Sequence, residues 1–396
     1  MRVLISGAGV AGPALAHWLL KYGFTPTIVE AAPHLRTGGY IVDFWGAGFD
    51  IAERMGILPE IRRAGYRLQQ VKVVNAEGKR AAGFPVDAFF RATKDRYVSL
   101  PRTDLSNAIY ASIEDRVETI FGDSVERLVQ NDRGVRVTFR SGLTREFDLV
   151  VGADGLHSRV RELVFGPEPD FEKYLGFKVA AFIVDGYQPR DELSYLMFTE
   201  VGQQVGRFSL RENRSMFHFT FADADPAIPP RLADQKALLR SRFENRGWEC
   251  SRILDALDSS SDLYMDRVSQ IRMSGASDSW SSGRVALVGD AAFCVSLLAG
   301  QGCALSMIAA YILAGELKRS QGDYAQGFRR YQNLFGPFVL KKQNSALRLA
   351  GSFAPKSRMS LFLRNQIMNL MRLPGVTALA LGSGLADKIE LPDYSP

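Results

Sequence analysis

Residues 2–30, RVLISGAGVAGPALAHWLLKYGFTPTIVE, decide the architecture of the N-terminal part of this chain. A short apolar strand runs into a turn with three glycines, an amphipathic helix follows, and a second strand ends in Glu30. This order of strand, glycine-rich turn, helix and acid-ended strand is typical of a βαβ dinucleotide-binding unit. The sequence therefore predicts an α/β fold that begins with a Rossmann-like domain.

Each position of the glycine-rich turn has its own physical role. Gly7 permits the tight turn, Gly9 lets the backbone approach a pyrophosphate, and Gly12 lets the helix pack closely on the strand. Ala11 stands in the same turn, where a helix N-terminus offers free N–H donors to phosphate. Glu30 is placed to accept hydrogen bonds from an adenosine ribose, and its charge disfavours a 2′-phosphate there. The alternative is a glycine-rich turn with a solvated glutamate.

Composition excludes several classes of protein. The 396 residues are 46% hydrophobic and 23% charged, as in an ordinary globular protein, and the net charge of +6 is scattered, which disfavours nucleic-acid binding. The three cysteines form no CxxC pair and the four histidines are far apart, so neither a metal site nor a disulfide framework is expected. Reduced thiols favour a cytoplasmic location. No apolar run is long enough for a membrane helix, so stable membrane insertion is not expected.

Two later stretches repeat the order of strand, glycine and acid. In residues 147–163, FDLVVGADGLHSRVREL, an apolar strand turns at Asp154 and a helix carrying Arg161 follows. In residues 284–292, RVALVGDAA, a strand ends at Asp290, and a further helix starts from Gly300-Gln301-Gly302. A buried carboxylate needs a partner. We therefore predict a polar ligand between Asp290 and the N-terminus of that helix.

Together these three motifs resemble those of the class A flavoprotein monooxygenases, the family of para-hydroxybenzoate hydroxylase. The turn at 7–12 resembles the FAD adenosine motif of that family, residues 153–161 its DG motif and residues 284–292 its GD motif. The resemblance runs from Met1 to about Leu317. It is nearest to the branch with tetracycline-inactivating and polyketide-tailoring hydroxylases.

The resemblance implies FAD as cofactor. It assigns these residues of the chain to the cofactor site: Gly7, Gly9, Ala11, Gly12, Glu30, Asp43, Arg102, Asp154, Arg161, Asp290, Gly300, Gln301 and Gly302. By the same resemblance, Arg102 reaches the phosphate or ribityl region and Asp290 accepts a hydrogen bond from a ribityl hydroxyl. Asp154 and Arg161 are implied to help accommodate the nicotinamide donor.

The activity implied is that of an FAD-dependent monooxygenase. Such an enzyme consumes NADH or NADPH and O2, and hydroxylates a largely apolar aromatic or polyketide-like small molecule through a flavin hydroperoxide. Two departures leave the acid–base residue unassigned, since Phe293 stands where the family often has histidine and Ala309-Ala310 where many members have an acid. The alternatives are another flavin oxidoreductase on this scaffold, such as a reductase or halogenase, and a flavin-binding protein without turnover. The absence of a WxW motif disfavours a halogenase.

The middle and the end of the chain have different sequence patterns. Residues 171–271 alternate as strands do, and Phe217 and Phe219 share one face, which we expect to line a substrate pocket; the alternative is that they belong to a core. We expect an FAD-binding domain from 1–70, 96–170 and 272–325, and a substrate-binding β-sheet domain from 71–95 and 171–271. Residues 326–396 form a C-terminal helical segment in this prediction. Its second helix is amphipathic, which favours packing over the catalytic domain, with binding at a membrane surface as the alternative.

Overall fold

The computed structural model describes residues 1–36, 40–273, 279–373 and 389–394. Its helices are α1 (Ala11–Lys21), α2 (Ala47–Met55), α3 (Leu58–Ala64), α4 (Asp87–Ala92), α5 (Arg102–Ala111), α6 (Arg159–Val164), α7 (Leu232–Phe243), α8 (Cys250–Ser259), α9 (Asp290–Phe293), α10 (Gly302–Arg319), α11 (Tyr324–Phe353) and α12 (Arg358–Leu370). Its strands are β1 (Arg2–Ser6), β2 (Thr25–Glu30), β3 (Ile41–Trp45), β4 (Gln70–Val74), β5 (Arg80–Pro85), β6 (Tyr97–Pro101), β7 (Glu118–Phe121), β8 (Val125–Asn131), β9 (Gly134–Phe139), β10 (Thr144–Phe147), β11 (Leu149–Gly152), β12 (Glu172–Asp185), β13 (Ser194–Glu200), β14 (Gln203–Ser209), β15 (Arg214–Ala222), β16 (Tyr264–Ile271), β17 (Ser281–Ser282) and β18 (Val285–Leu287).

A mostly parallel sheet forms the N-terminal core. Its strand order is β17-β18-β11-β1-β2-β7, and β1 lies between β2 and β11, parallel to both. Val3, Leu4 and Ile5 of β1 are completely buried, as a continuous apolar run predicts for a strand covered on both faces. Helix α1 packs against β1, β2 and α10, while β9 and β10 of a small antiparallel sheet contact β11 and β1. The predicted α/β fold is confirmed.

This topology brings the three motifs to one edge of the sheet. The glycine-rich turn follows β1, the DG motif follows β11 and the GD motif follows β18, and these strands are adjacent and parallel. The carboxyl ends of parallel strands meet at the same edge, where α/β proteins bind their ligands. Sequence segments about 140 residues apart are neighbours for this reason.

A second, larger sheet stands beside the first. Its order is β16-β12-β15-β14-β13-β4-β5, and its neighbouring strands are antiparallel except for β13 and β4. Its strands come from 70–85 and 172–271. In such a sheet, residues that pair across strands lie on the same face. Helices α7 and α8 cover one face and contribute Leu239, Phe243 and Leu254 to a hydrophobic core.

The C-terminal part is helical up to Leu370 and then returns to the first sheet's helices. Helix α11 packs along α10, and α12 contacts β5. In the segment 389–394, the Tyr394 hydroxyl donates to Glu316 (2.6 Å), and its ring covers Gly315 of α10. The predicted second helix extended into residues 374–381, which lie outside the described residues.

Candidate active site

The glycine-rich turn is packed against the DG motif. Gly7 has φ +107°, and a Cβ there would lie 2.6 Å from the carbonyl oxygen of Ala153. A Cβ on Gly12 would overlap the carbonyl oxygen of Gly7. Neither position accepts a side chain, so the turn stays tight and leads directly into α1.

Glu30 stabilises the same turn from the end of β2. The carboxylate is buried and accepts hydrogen bonds from the amides of Ala8 (2.8 Å) and Ala32 (2.9 Å). Each oxygen keeps a further lone pair, so the hydrogen bonds to a ribose that the sequence predicts are compatible with these contacts. Glu30 therefore shapes the turn whether or not it also contacts a ligand.

Arg102 joins the turn to the other motifs. It begins α5, and its amide donates to the carbonyl oxygen of Tyr40 (3.0 Å). Its guanidinium lies 3.4 Å from the point that a Cβ on Gly9 would occupy, and it interacts electrostatically with Asp290 and Cys303. A cation thus stands between the phosphate-binding turn and the GD motif, where an anionic ligand would need it.

Asp290 faces the N-terminus of α10, as predicted. A Cβ on Gly302 would lie 3.7 Å from its Oδ1 atom, and the thiol of Cys294 is its hydrogen-bonding neighbour. Burial raises the pKa of Asp290, although the charge of Arg102 opposes this shift. Desolvation of this kind is relieved when a hydroxyl donates to the carboxylate.

Helix α10 presents unpaired amides toward that carboxylate. Its first backbone bond runs from the amide of Leu305 to the carbonyl of Gln301, and no side chain caps the helix. The amides of its first turn are therefore free for a ligand. Gly300, in the loop before the helix, has φ +66°, and a Cβ there would lie 3.9 Å from the ring of Trp45.

Asp154 is buried and held by its own motif. It accepts hydrogen bonds from Ser158, the amide of Val160 (3.1 Å) and Ser6 (3.4 Å). Burial raises the pKa of Asp154, and the bonds to Ser158 and Val160 oppose that shift. Its contact with a cofactor remains a prediction.

The structure corrects the role expected for Arg161. The side chain is completely buried and donates to the carbonyl oxygens of Ala291 (3.0 Å) and Leu156 (2.7 Å), and to Glu168 (2.9 Å). Because these partners bury the whole side chain, Arg161 cannot contact a nicotinamide donor. Arg161 instead joins the DG motif to the GD motif, which explains why a cation follows the Asp-Gly turn.

The aromatic face with Phe217 and Phe219 also lies elsewhere than predicted. Both rings are completely buried under α7 and α8, and Phe219 contacts Phe243 with ring centroids 4.8 Å apart. The prediction that they line a substrate pocket is wrong because the helices cover that face. The alternative, that they belong to a core, is the one observed.

The opposite face of this sheet turns toward the cofactor motifs. Tyr264, Ala181, His218 and Gly206 pair across successive strands and so share this face. The ring of Tyr264 lies 5.5 Å from that of Tyr40, whose carbonyl binds Arg102. The alternation in SMFHFTF places His218 opposite the phenylalanines, but the sequence analysis assigned neither His218 nor the other residues of this face to the site.

Aromatic and polar side chains enclose this cleft face. Tyr195 lies directly over Gly206, where any side chain would collide with its hydroxyl. Asp43 accepts hydrogen bonds from Tyr97 (2.7 Å) and Ser99 (2.6 Å) and interacts electrostatically with Tyr195. The carboxylate predicted to line the flavin pocket is thus anchored at the wall of the cleft.

His218 is the one imidazole on the cleft face among the described strand residues. Burial lowers its pKa to about 4, so the ring is neutral at physiological pH. A neutral imidazole offers both a donor and an acceptor to a ligand.

Phe293 and Cys294 follow Asp290 but do not supply acid–base chemistry. Phe293 is buried against Trp280, with ring centroids 4.8 Å apart, and points into the core. Burial raises the pKa of Cys294 far above its usual value, and its thiol lies 3.5 Å from the carbonyl oxygen of Ser269. The thiol is therefore protonated and unreactive.

A surface pocket of about 510 Å³ lies on the helix-covered face, away from these motifs. Its main cation, Arg207, is paired with Asp191 and Glu249, and Lys72 lies 3.6 Å from Asp191. Because this pocket lies away from all three cofactor motifs, we place the active site in the cleft.

Within residues 1–36, 40–273, 279–373 and 389–394, no group of three histidine, cysteine or acidic side chains could hold a metal ion. In the same residues, no helix is both long enough and apolar enough to cross a membrane.

Comparison with known proteins identifies the class. The family described as "FAD binding domain" matches residues 1–325, which include all three motifs. The chain belongs to this family, and it is a class A FAD-dependent monooxygenase of the branch that contains the tetracycline destructases. The resemblance stated from the motifs is confirmed.

Relatives support this at full length. A flavin-dependent monooxygenase from an unknown prokaryotic organism is 34% identical and covers 100% of this chain and 99% of its own. An uncharacterized protein of Mycobacterium tuberculosis is 40% identical over 86% of this chain and 91% of its own. The crystal structure of the tetracycline destructase Tet(51) is similar with a TM-score of 0.83 at 32% identity, covering 99% of both chains.

The residues of the cleft fit FAD. The space next to Gly9 faces a guanidinium, the space next to Gly302 faces the Asp290 carboxylate, and the first amides of α1 and α10 are free. A pyrophosphate, a ribityl chain and a ring carbonyl each find a complementary group in this order.

Proposed function

We propose that the protein consumes NADH or NADPH and O2 to hydroxylate a largely apolar aromatic or polyketide-like small molecule. One observation carries this proposal: the mixed aromatic and polar face of the large sheet stands over the cofactor motifs, joined to them by the contact of Tyr264 with Tyr40. A cofactor and a flat organic substrate can therefore meet in one cleft.

We propose specific tasks for the residues around FAD. The turn with Gly7, Gly9, Ala11 and Gly12 accommodates the pyrophosphate, and Glu30 accepts from the adenosine ribose. When bound, FAD supplies the redox chemistry and the activation of O2.

Residues from several elements are assigned to the middle of the cofactor. Arg102 neutralises phosphate charge, Asp290 orients the ribityl chain, and Asp154 and Asp43 complete the wall. The residues Gly300, Gln301 and Gly302 place the positive end of the α10 dipole beside the ring system, which favours an anionic ring.

The substrate would contact the cleft face. Tyr195, Tyr264 and Trp45 supply apolar surface, and His218 supplies a hydrogen bond from a neutral ring, which fits an aromatic substrate with a few polar groups. The tetracycline destructases that resemble this chain over nearly its whole length are named for tetracycline, which supports a substrate with several fused rings. We propose a cytoplasmic site of action from the reduced cysteines.

An oxygen-transfer assay tests this function. The FAD-loaded protein is mixed with NADH or NADPH and aromatic or polyketide compounds in air, and products are analysed by mass after labelling with ¹⁸O2. Ligand-stimulated oxidation of the nicotinamide, with one labelled oxygen in the product, is the expected result. Oxidation without oxygen transfer would indicate a reductase, and no oxidation would indicate a flavin-binding protein without turnover.

A further inference from the structure

Helix α12 has two faces with opposite environments. On the inner face, Met368 packs against Val73 and Met197 of the large sheet. Arg364 reaches Gln204 (3.4 Å), and the Nε atom of Arg372 donates to the carbonyl oxygen of Gly83 (2.9 Å). The helix is therefore docked on the protein by one face, which fixes its orientation.

The outer face is apolar and exposed. Its large side chains are between 51 and 66% exposed: Met359, Phe362, Leu363, Ile367, Leu370 and Leu373. At 100° per residue these positions fall within one continuous stripe along the helix. Large apolar side chains in such a contiguous arrangement mark an interaction surface.

The charge of this region is strongly asymmetric. From Tyr324 to Ala386 the chain has nine lysines and arginines and not a single aspartate or glutamate. Because the whole chain has 49 basic and 43 acidic residues, everything outside this stretch has 40 basic against 43 acidic residues. The positive net charge of the protein therefore resides in its C-terminal helices, next to the apolar stripe.

Exposed cations lie close to the stripe itself. Lys356 and Arg358 are exposed and precede its first residue. An apolar helical face flanked by lysine and arginine, in a stretch of sequence without acidic residues, is the pattern of helices that lie in the interface of an anionic membrane.

We propose that α12 binds the surface of an anionic lipid bilayer, with its stripe in the interface and its cations on the headgroups. The inner face keeps the helix attached to the protein while the outer face contacts lipid. This is peripheral binding and requires no spanning segment. It is independent of the substrate proposed above.

Flotation with vesicles tests the proposal. FAD-loaded full-length protein is mixed with phosphatidylcholine vesicles, with or without phosphatidylglycerol, and the bound fraction is measured. We expect binding only to the vesicles with phosphatidylglycerol, and we expect high salt to weaken it. Absence of binding to both would overturn the proposal, and so would equal binding to both.

Two pairs of variants locate the binding surface. Phe362→Gln with Ile367→Gln should lower the partition coefficient roughly tenfold or more, because two interfacial side chains are lost. The matched control is Val129→Gln with Leu143→Gln, since these side chains are 43 and 49% exposed on the small sheet. If both pairs lose binding equally, α12 is not the membrane contact.

The charge is tested in the same way. Lys356→Gln with Arg358→Gln should weaken binding roughly tenfold, whereas Arg63→Gln with Arg133→Gln, exposed elsewhere, should not. Flavin content and thermal unfolding check that all variants are folded.

Measurement of the molar mass of the protein in solution shows whether a second copy of the chain, rather than lipid, covers the stripe. A dimer that dissociates in the Phe362→Gln, Ile367→Gln variant would show that a second copy covers the stripe, and it would overturn the proposal. A monomer that binds anionic vesicles would support it.

Discussion

The two faces of the large sheet are built from the same strands but have different surroundings: helices cover one face, and the other faces the cofactor motifs. On β15, Phe217 and Phe219 point under α7 and α8 into a hydrophobic core, while His218 points to the opposite, cleft face. Uniformly apolar rings indicate a face closed by the protein itself. A mixed face with aromatic and polar groups indicates a surface kept for a ligand.

The largest expected effect is on the covered face. Phe219→Ala should lower the free energy of unfolding by about 3–5 kcal/mol, because it leaves a cavity between the sheet and α7. Urea denaturation of the FAD-loaded protein measures this loss.

The folded Phe219→Ala protein should still bind flavin as the wild type does. Its matched variant is Phe219→Leu, which keeps most of the volume and should cost less. If Phe219→Ala left stability unchanged but abolished substrate binding, the assignment of the two faces would be reversed.

A moderate effect is expected on the cleft face. His218→Leu should leave the free energy of unfolding nearly unchanged, since the imidazole is neutral at physiological pH and leucine is of similar size. The substrate KM should rise roughly tenfold, because a hydrogen bond to the substrate is lost. Steady-state kinetics with the best substrate of the oxygen-transfer assay measures the change.

Gln can replace one hydrogen-bonding function of the imidazole, so His218→Gln should recover part of the affinity. A His218→Leu enzyme with wild-type KM for every substrate tested would remove His218 from the site.

The smallest effect is expected where the two sheets meet. His157 of the DG motif contacts Glu168 (2.9 Å) and Asp266 of β16 (3.3 Å). Asp266 and Glu168 raise the pKa of His157 to about 9. The pKa in the folded state is above that of the unfolded chain, so this stabilisation is complete below about pH 6.5 and disappears as the pH rises through 9.

The Tm of the wild type should therefore fall more than that of His157→Gln between about pH 6.5 and 9.5. The difference is small because half of the His157 side chain is exposed to solvent. If the Tm of the two proteins fell equally with pH, this would contradict a charged contact of His157 with Glu168 and Asp266.

Much of the N-terminal architecture was predictable because its signals are local. A strand, glycines at fixed spacing and an acid at the next strand end define Gly7, Gly12 and Glu30 without knowledge of the remaining chain. Asp290 was predictable for a similar reason, since a carboxylate in an apolar run before a glycine-rich helix start requires a partner.

The errors arose where a role depends on distant packing. Period-two alternation separates Phe217 from His218, but only α7 and α8, which lie later in the chain, decide which face is closed. Arg161 was misassigned because its partners, Ala291 and Glu168, come from other segments that local sequence cannot place beside it.

Flavin titration of the wild type and of Asp290→Ala tests the central claim most directly, namely that the edge of the first sheet binds FAD with Asp290 on its ribityl chain. We expect the wild type to bind FAD, with the visible spectrum of a bound flavin, and Asp290→Ala to bind roughly 10- to 100-fold more weakly, as the loss of a charge-assisted hydrogen bond predicts. Cys250→Ala, a buried change at the start of α8, serves as the control and should bind FAD normally. Equal affinity of the wild type and Asp290→Ala for FAD would contradict this account.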